Sequence, residues 1–148
     1  MYRLTINGAV HEIAEDGSLL DYLRDTADIT SVKNGCAEGV CGACTVLIDG
    51  RTAHAYIQKI SRLDGKSVTT LEGLSERERD IYAWAFGAAG AVQCGFCIPG
   101  MVMSAKGLLD VNASPSTAEI KAALKGNLWN RCNFWVWASN VQLRCRSA

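Results

Sequence analysis

The stretch NGCAEGVCGAC, residues 34–44, places Cys36, Cys41 and Cys44 in a C-x4-C-x2-C pattern threaded by Gly35, Gly39 and Gly42. This is a spacing by which one loop delivers three thiolates to a 2Fe–2S cluster. Three sulfurs must converge on a small rhomb, so the backbone has to wrap closely around it. Glycine permits the left-handed turns this needs and lets main-chain N–H groups approach the sulfurs. Those donors offset the negative charge of a thiolate-ligated cluster and tune its potential. A structural zinc loop is the competing reading, but zinc sites favour paired C-x2-C knuckles over a glycine-wrapped triplet.

Outward from the loop, the first half reads as a small α+β unit. Tyr2, Leu4 and Ile6 alternate with polar neighbours as in a half-buried strand, Asn7-Gly8 is a hairpin turn, and Ala9 to Ile13 is the returning strand. Leu19, Leu20 and Leu23 share one helical face after a Ser18 cap. Beyond the loop, Thr45 to Asp49 is a strand closed by Asp49-Gly50, and Ser67 to Leu71 is a last short strand. From Ser75 the period becomes helical. Ser75 with Glu78, and Ser116 with Glu119, form capping boxes; Pro99 suits the first turn of a helix running to Asn112, and Gly126 can end the helix that follows Ser116. A fourth helix fills the C-terminus, giving an antiparallel bundle. The expected architecture is a domain of residues 1–74 followed by an all-α domain of residues 75–148.

The 148-residue chain carries 15 basic and 15 acidic residues, and no basic run suggests nucleic-acid binding. Residues 1–13 mix Arg3, Asn7, His11 and Glu12 into apolar neighbours, unlike a secretory signal, and the weakly polar run 83–92 is too short to span a bilayer. The expected address is the cytoplasm. Seven cysteines, an odd count without a secretory signal, argue against a disulfide framework and for metal ligands or redox groups.

A second constellation, QCGFCIPG at residues 93–100, holds Cys94 and Cys97 about Gly95 between two helices. Alone it is ambiguous among zinc, a redox dithiol and half an iron–sulfur site. Taken with SVKNGCAEGVCGACTVLIDG (residues 31–50) and continuing through GAVQCGFCIPGMVMSAK (residues 90–106), however, it resembles the iron–sulfur subunit of the xanthine oxidase, or molybdenum hydroxylase, family. That family includes xanthine dehydrogenases, aldehyde oxidoreductases and the molybdenum type of carbon monoxide dehydrogenase. The resemblance runs through Asn127-Leu128. It implies a plant-type ferredoxin-like (β-grasp) N-terminal domain, a four-helix C-terminal domain and one 2Fe–2S cluster in each. It implies electron flow from a molybdopterin centre in a large subunit, through the helical-domain cluster and then the ferredoxin-domain cluster, to FAD in a medium subunit. A dimer of such heterotrimers is the implied assembly, and Gln93 matches a residue that contacts the pterin.

The resemblance also implies ligands that this sequence does not supply. The fourth cysteine of the first cluster falls at Tyr56. The last two of the second fall at Trp129 and Arg131, or, with a one-residue insertion, at Asn130 and Cys132. Trp and Arg cannot bind iron, and tyrosinate is a hard ligand with a pKa of about 10. Three of the four tryptophans lie within residues 129–137, and Val141 to Leu143 returns to the family pattern in the ungapped register. Three explanations compete: lost or altered clusters, unusual ligands, or misassigned side chains. A departure that returns without change of length favours the last over drift, in which case the backbone at 56, 129 and 131 keeps a ligand's position.

Other residues take plainer readings. His11 and His54 are solvated or locally bonded, Trp84 and Phe86 are core, and Cys145 is incidental. Met101 and Met103 pack in the bundle and its partner interface. Against the electron-transfer subunit stand a free-standing ferredoxin-like shuttle, which would need only the first half, and a zinc-stabilised interaction module. No residue is catalytic in the bond-breaking sense; the chain positions cofactors.

Overall fold

The computed structural model describes residues 1–127. The first half is a five-stranded mixed sheet in the order β2-β1-β5-β3-β4. Strands β1 (Tyr2–Ile6) and β2 (Ala9–Ile13) pair antiparallel across Asn7-Gly8, both in the left-handed region that such a tight turn demands. Strands β3 (Thr45–Ile48) and β4 (Arg51–His54) repeat the device at Asp49-Gly50. Strand β5 (Ser67–Thr69) lies between the hairpins, parallel to β1 and antiparallel to β3.

The helix expected after Ser18 forms as α1 (Leu19–Asp21) and continues as a wider π turn over Tyr22–Thr26. Leu19, Leu20 and Leu23 are fully buried on the sheet with Leu4, Ile6, Val46 and Val68. Ser18 does not cap it: its hydroxyl donates instead to the Tyr56 carbonyl, at 3.2 Å. The last strand is shorter than expected because Leu71–Gly73 tightens into a 3-10 turn.

That turn is tied down from three sides. Asn7 Oδ1 accepts from the Thr70 N–H at 2.9 Å, and the Thr70 hydroxyl donates to Glu72 at 2.7 Å. Glu72 also accepts from the Ser31 N–H and hydroxyl, at 3.1 and 2.5 Å. The exit from the sheet is thereby pinned to the entrance of the cysteine loop.

Helices α2 (Glu76–Ala88), α3 (Ile98–Val111) and α4 (Thr117–Leu124) follow, and α2 and α4 both start in the expected capping boxes. Helix α4 stops at Leu124, before Gly126, and Pro99 sits in the first turn of α3. The fourth helix falls outside the described residues. Two expectations are corrected here. Trp84 is 41% exposed, because the apolar face of α2 is set by Tyr82, Ala85 and Phe86 instead. Met101 and Met103 are buried within the chain's own core, so they form no partner-facing surface. The reason is α3, which lies on the sheet: Leu47 of β3 belongs to the helical core, and the two halves share packing.

Lys106 of α3 bridges Glu78 of α2 at 2.9 Å and Asp110 at 2.6 Å. Partial burial works to raise the Glu78 pKa, but Lys106 and the Ser75 N–H outweigh it and the net shift is downward. The Ser116 N–H and hydroxyl likewise lower Glu119. A carboxylate with a lowered folded-state pKa gives its full stabilisation above its unfolded pKa and loses it as pH falls through the folded value. Lys106 acts in the opposite sense: its pKa is raised despite burial, so its contribution is lost only at a pH above the ordinary lysine value. The helical signal is therefore expected to melt at lower temperature once pH drops below about 4, the ordinary glutamate range. Glu119→Gln should flatten that acid limb in thermal melts by circular dichroism.

Candidate functional site

The loop between α1 and β3 is closed by Lys33 N–H donating to the Ala43 carbonyl at 3.1 Å. Asn34 Oδ1 accepts from the Ala37 N–H at 2.9 Å, and Ala37, Gly39 and Gly42 all turn left-handed. Main-chain donors then point at sulfur. Glu38 and Val40 N–H each reach Cys36 Sγ at 3.4 Å, and Ala43 N–H reaches Cys41 Sγ at 3.4 Å. Donation by Val40, then Cys41 and Glu38, lowers the Cys36 pKa to about 6, so this thiol is largely thiolate at neutral pH. Burial raises Cys41 and Cys44, which are almost fully enclosed. Gly35 is present for closeness and not for turn geometry: a Cβ there would stand 3.0 Å from Cys41 Sγ.

Cys36 and Cys41 act on each other's pKa, lowering the first and raising the second. Cys44, raised by burial, is drawn partly back by the main-chain N–H of Tyr56, and the Ala55 N–H donates to the Cys44 carbonyl at 3.0 Å. Residue 56 therefore follows a backbone contact to Cys44, where a fourth ligand would be needed. The pairs 36 with 41 and 44 with 56 suit a cluster in which each iron takes two protein ligands. Among the described residues no three His, Cys, Asp or Glu side chains gather about one metal ion, and a binuclear rhomb asks for none. Three corners fit the cluster in ligand chemistry, and two of them, Cys36 and Cys41, also in aligned N–H donors. The fourth carries a phenol, and Tyr56 packs partly buried against the sheet core.

The second constellation lies beside the first. Cys97 is the N-cap of α3, Gly95 turns left-handed, and Cys94 is exposed. The Phe96 ring between them comes within 3.3 Å of where a Gly35 Cβ would be, so the two cysteine loops touch. Gln93 is exposed. Cys132, with Trp129, Asn130, Arg131 and Cys145, lies outside the described residues.

His54 and Asn127 are additions that the pattern of cysteines did not reveal. His54 pairs with Thr45 across β3 and β4, and its Nδ1–H donates to the Gly39 carbonyl at 2.5 Å. The register of the Asp49-Gly50 hairpin is the signal that places it beside the loop. Asn127 Nδ2 donates to the Gly42 carbonyl at 3.2 Å. Neither histidine is merely solvated or locally bonded as expected: His54 reaches the cysteine loop, and His11 of β2 meets the Tyr22 hydroxyl of the π turn after α1 at 3.0 Å.

Helix α3 reaches the loop at Gly100, where any side chain would collide with the Gly42 carbonyl. Gly100→Ala gains up to about 1 kcal/mol of helix propensity but forces backbone apart. A net loss of about 1–3 kcal/mol is expected, read from denaturant midpoints.

Comparison with known proteins agrees with this arrangement. Residues 4–72 match the 2Fe-2S iron-sulfur cluster binding domain family and residues 70–135 match the [2Fe-2S] binding domain family. The chain is 42% identical over 136 residues to the nicotinate dehydrogenase small FeS subunit of Eubacterium barkeri, covering 90% of this chain and 86% of that one. It is 38% identical to the xanthine dehydrogenase iron-sulfur-binding subunit of Escherichia coli, over 95% of this chain and 91% of that one. The aldehyde oxidoreductase of Desulfovibrio desulfuricans superposes with a TM-score of 0.87 at 36% identity, over 99% of this chain and 17% of that larger one. The chain belongs to the 2Fe–2S electron-transfer subunits of the molybdenum hydroxylase family.

Proposed function

We propose that the chain holds two 2Fe–2S clusters and passes electrons from a molybdopterin centre in a large subunit to FAD in a medium subunit. Cys36, Cys41 and Cys44, wrapped by Gly35, Gly39 and Gly42, would hold the first cluster. Cys94 and Cys97, turned by Gly95 and joined by Cys132, would hold the second, with Gln93 facing the pterin. Such clusters, when bound, supply one-electron transfer at iron. The observation that carries the reading is the contact of Phe96 with Gly35, which sets the two cysteine loops side by side. A single-cluster shuttle has no use for that contact.

The reading includes a domain division at residues 74 and 75, a fourth bundle helix beyond residue 127, a dimer of heterotrimers and a cytoplasmic setting. Among the described residues no helix is long and apolar enough to cross a membrane. Co-expression with a large and a medium subunit of this family is the test. The expected product is a complex containing iron and acid-labile sulfide whose visible absorbance bleaches when substrate is added. Zinc without sulfide would support the interaction module instead, and an uncomplexed iron-containing monomer would support the shuttle.

A further inference from the structure

We propose that Asn127 is a positioning residue. It holds the carbonyl of Gly42, inside the first cysteine loop, against the start of α3, and so fixes the two cysteine loops relative to each other. The inference deepens the relay reading and rests on it for its purpose, but its geometry stands alone.

Among the described residues four polar side chains are buried: Thr45, Thr70, Ser104 and Asn127. Thr70 serves the Asn7 and Glu72 network. Of the other three, Ser104 stands behind Asn127, while Thr45 and Asn127 converge on one carbonyl, that of Gly42. Thr45 donates to it from N–H at 3.2 Å and from its hydroxyl at 2.7 Å, and Asn127 Nδ2 donates at 3.2 Å. Ser104 of α3 donates to Asn127 Oδ1 at 2.7 Å, which orients the amide. Buried polar groups are retained only where their partners are in place, and a satisfied network fixes one arrangement more sharply than apolar packing does. This network is placed where register matters. Gly42 lies between Cys41 and Cys44, and Gly100, against which its carbonyl packs, is three residues after Cys97. Asn127 itself precedes the segment that contains Cys132. One side-chain amide thus meets elements of both cysteine constellations.

Two substitutions separate its two hydrogen bonds. Asn127→Asp keeps an acceptor for Ser104 but turns a carboxylate oxygen on the Gly42 carbonyl. Ser104→Ala keeps the bond to Gly42 and removes only the support behind it. Asn127→Ala removes both without burying a charge, so it decides the matter if the aspartate variant does not fold. The full-length, cluster-free chain is alkylated with iodoacetamide and each cysteine is followed by mass spectrometry. Hydrogen exchange in β1 and β5 is recorded alongside. Both Asn127 variants are expected to speed alkylation of Cys41 and Cys44 by about tenfold or more relative to exposed Cys94, as local opening would. Exchange in β1 and β5 should be unchanged, and Ser104→Ala should stay within about threefold of the parent. Unchanged Cys41 and Cys44 rates in Asn127→Ala would overturn the proposal. So would equal acceleration by Ser104→Ala, or a matching rise of exchange in β1 and β5, which marks general destabilisation. Because this readout needs neither iron nor partners, its failure is distinct from failure of the relay.

Discussion

Cys41→Ser is expected to abolish cluster binding by the first half of the chain while the helical half stays folded. The serine oxygen is a harder, shorter ligand whose proton is far more tightly held than that of a thiol. It cannot replace a sulfur that is buried and accepts the Ala43 N–H at 3.4 Å. Outer-shell changes at metal sites typically cost about 10–100-fold in affinity. Loss of a direct ligand should exceed that, so the first cluster's signal in the visible and paramagnetic resonance spectra should disappear. Far-ultraviolet circular dichroism should barely change, because Cys41 lies outside the cluster of side chains around Phe86, Met101 and Met103. Spectra showing an undiminished first cluster would remove these cysteines from the ligand set.

Most of this site was legible because it is local. The C-x4-C-x2-C loop, its left-handed glycines and the hairpin turns at Asn7-Gly8 and Asp49-Gly50 each depend on a few adjacent residues, and each forms as expected. Both capping boxes are local in the same sense. What the sequence hid is long-range. Met101 and Met103 pack in the helical core as expected, but their expected share in a partner interface fails because nothing in α3 itself says that β3 will lie beneath it. Trp84 read as core because helical spacing marks a face only once the neighbouring helix is placed. His54 and Asn127 act on the loop from 15 and 85 residues away, through Gly39 and Gly42, and no spacing rule connects such pairs.

Tyr56→Cys runs against the usual expectation that a substitution lowers function, and it carries the sharper test. The Ala55 N–H donates to the Cys44 carbonyl at 3.0 Å, which sets residue 56 next to Cys44, so a side chain at this position starts near the fourth corner of the first cluster. A thiol supplies what the phenol lacks: a soft ligand, with an unperturbed pKa of about 8.5 against about 10. Iron and sulfide recovered at the first site should rise severalfold, and the loaded protein should resist chelators that strip the parent. The apo protein should move the other way. Tyr56 packs partly buried on the core around Leu19 and Val46, and trimming it forfeits apolar contact worth about 1–3 kcal/mol. The signature is therefore a crossing: a lower melting temperature without iron and a higher one with it, since a ligand that binds only the folded state stabilises it. If the variant is destabilised in both states, with iron content equal to the parent's, residue 56 is no corner of the cluster. The site would then be completed by a group other than the side chain beside Cys44.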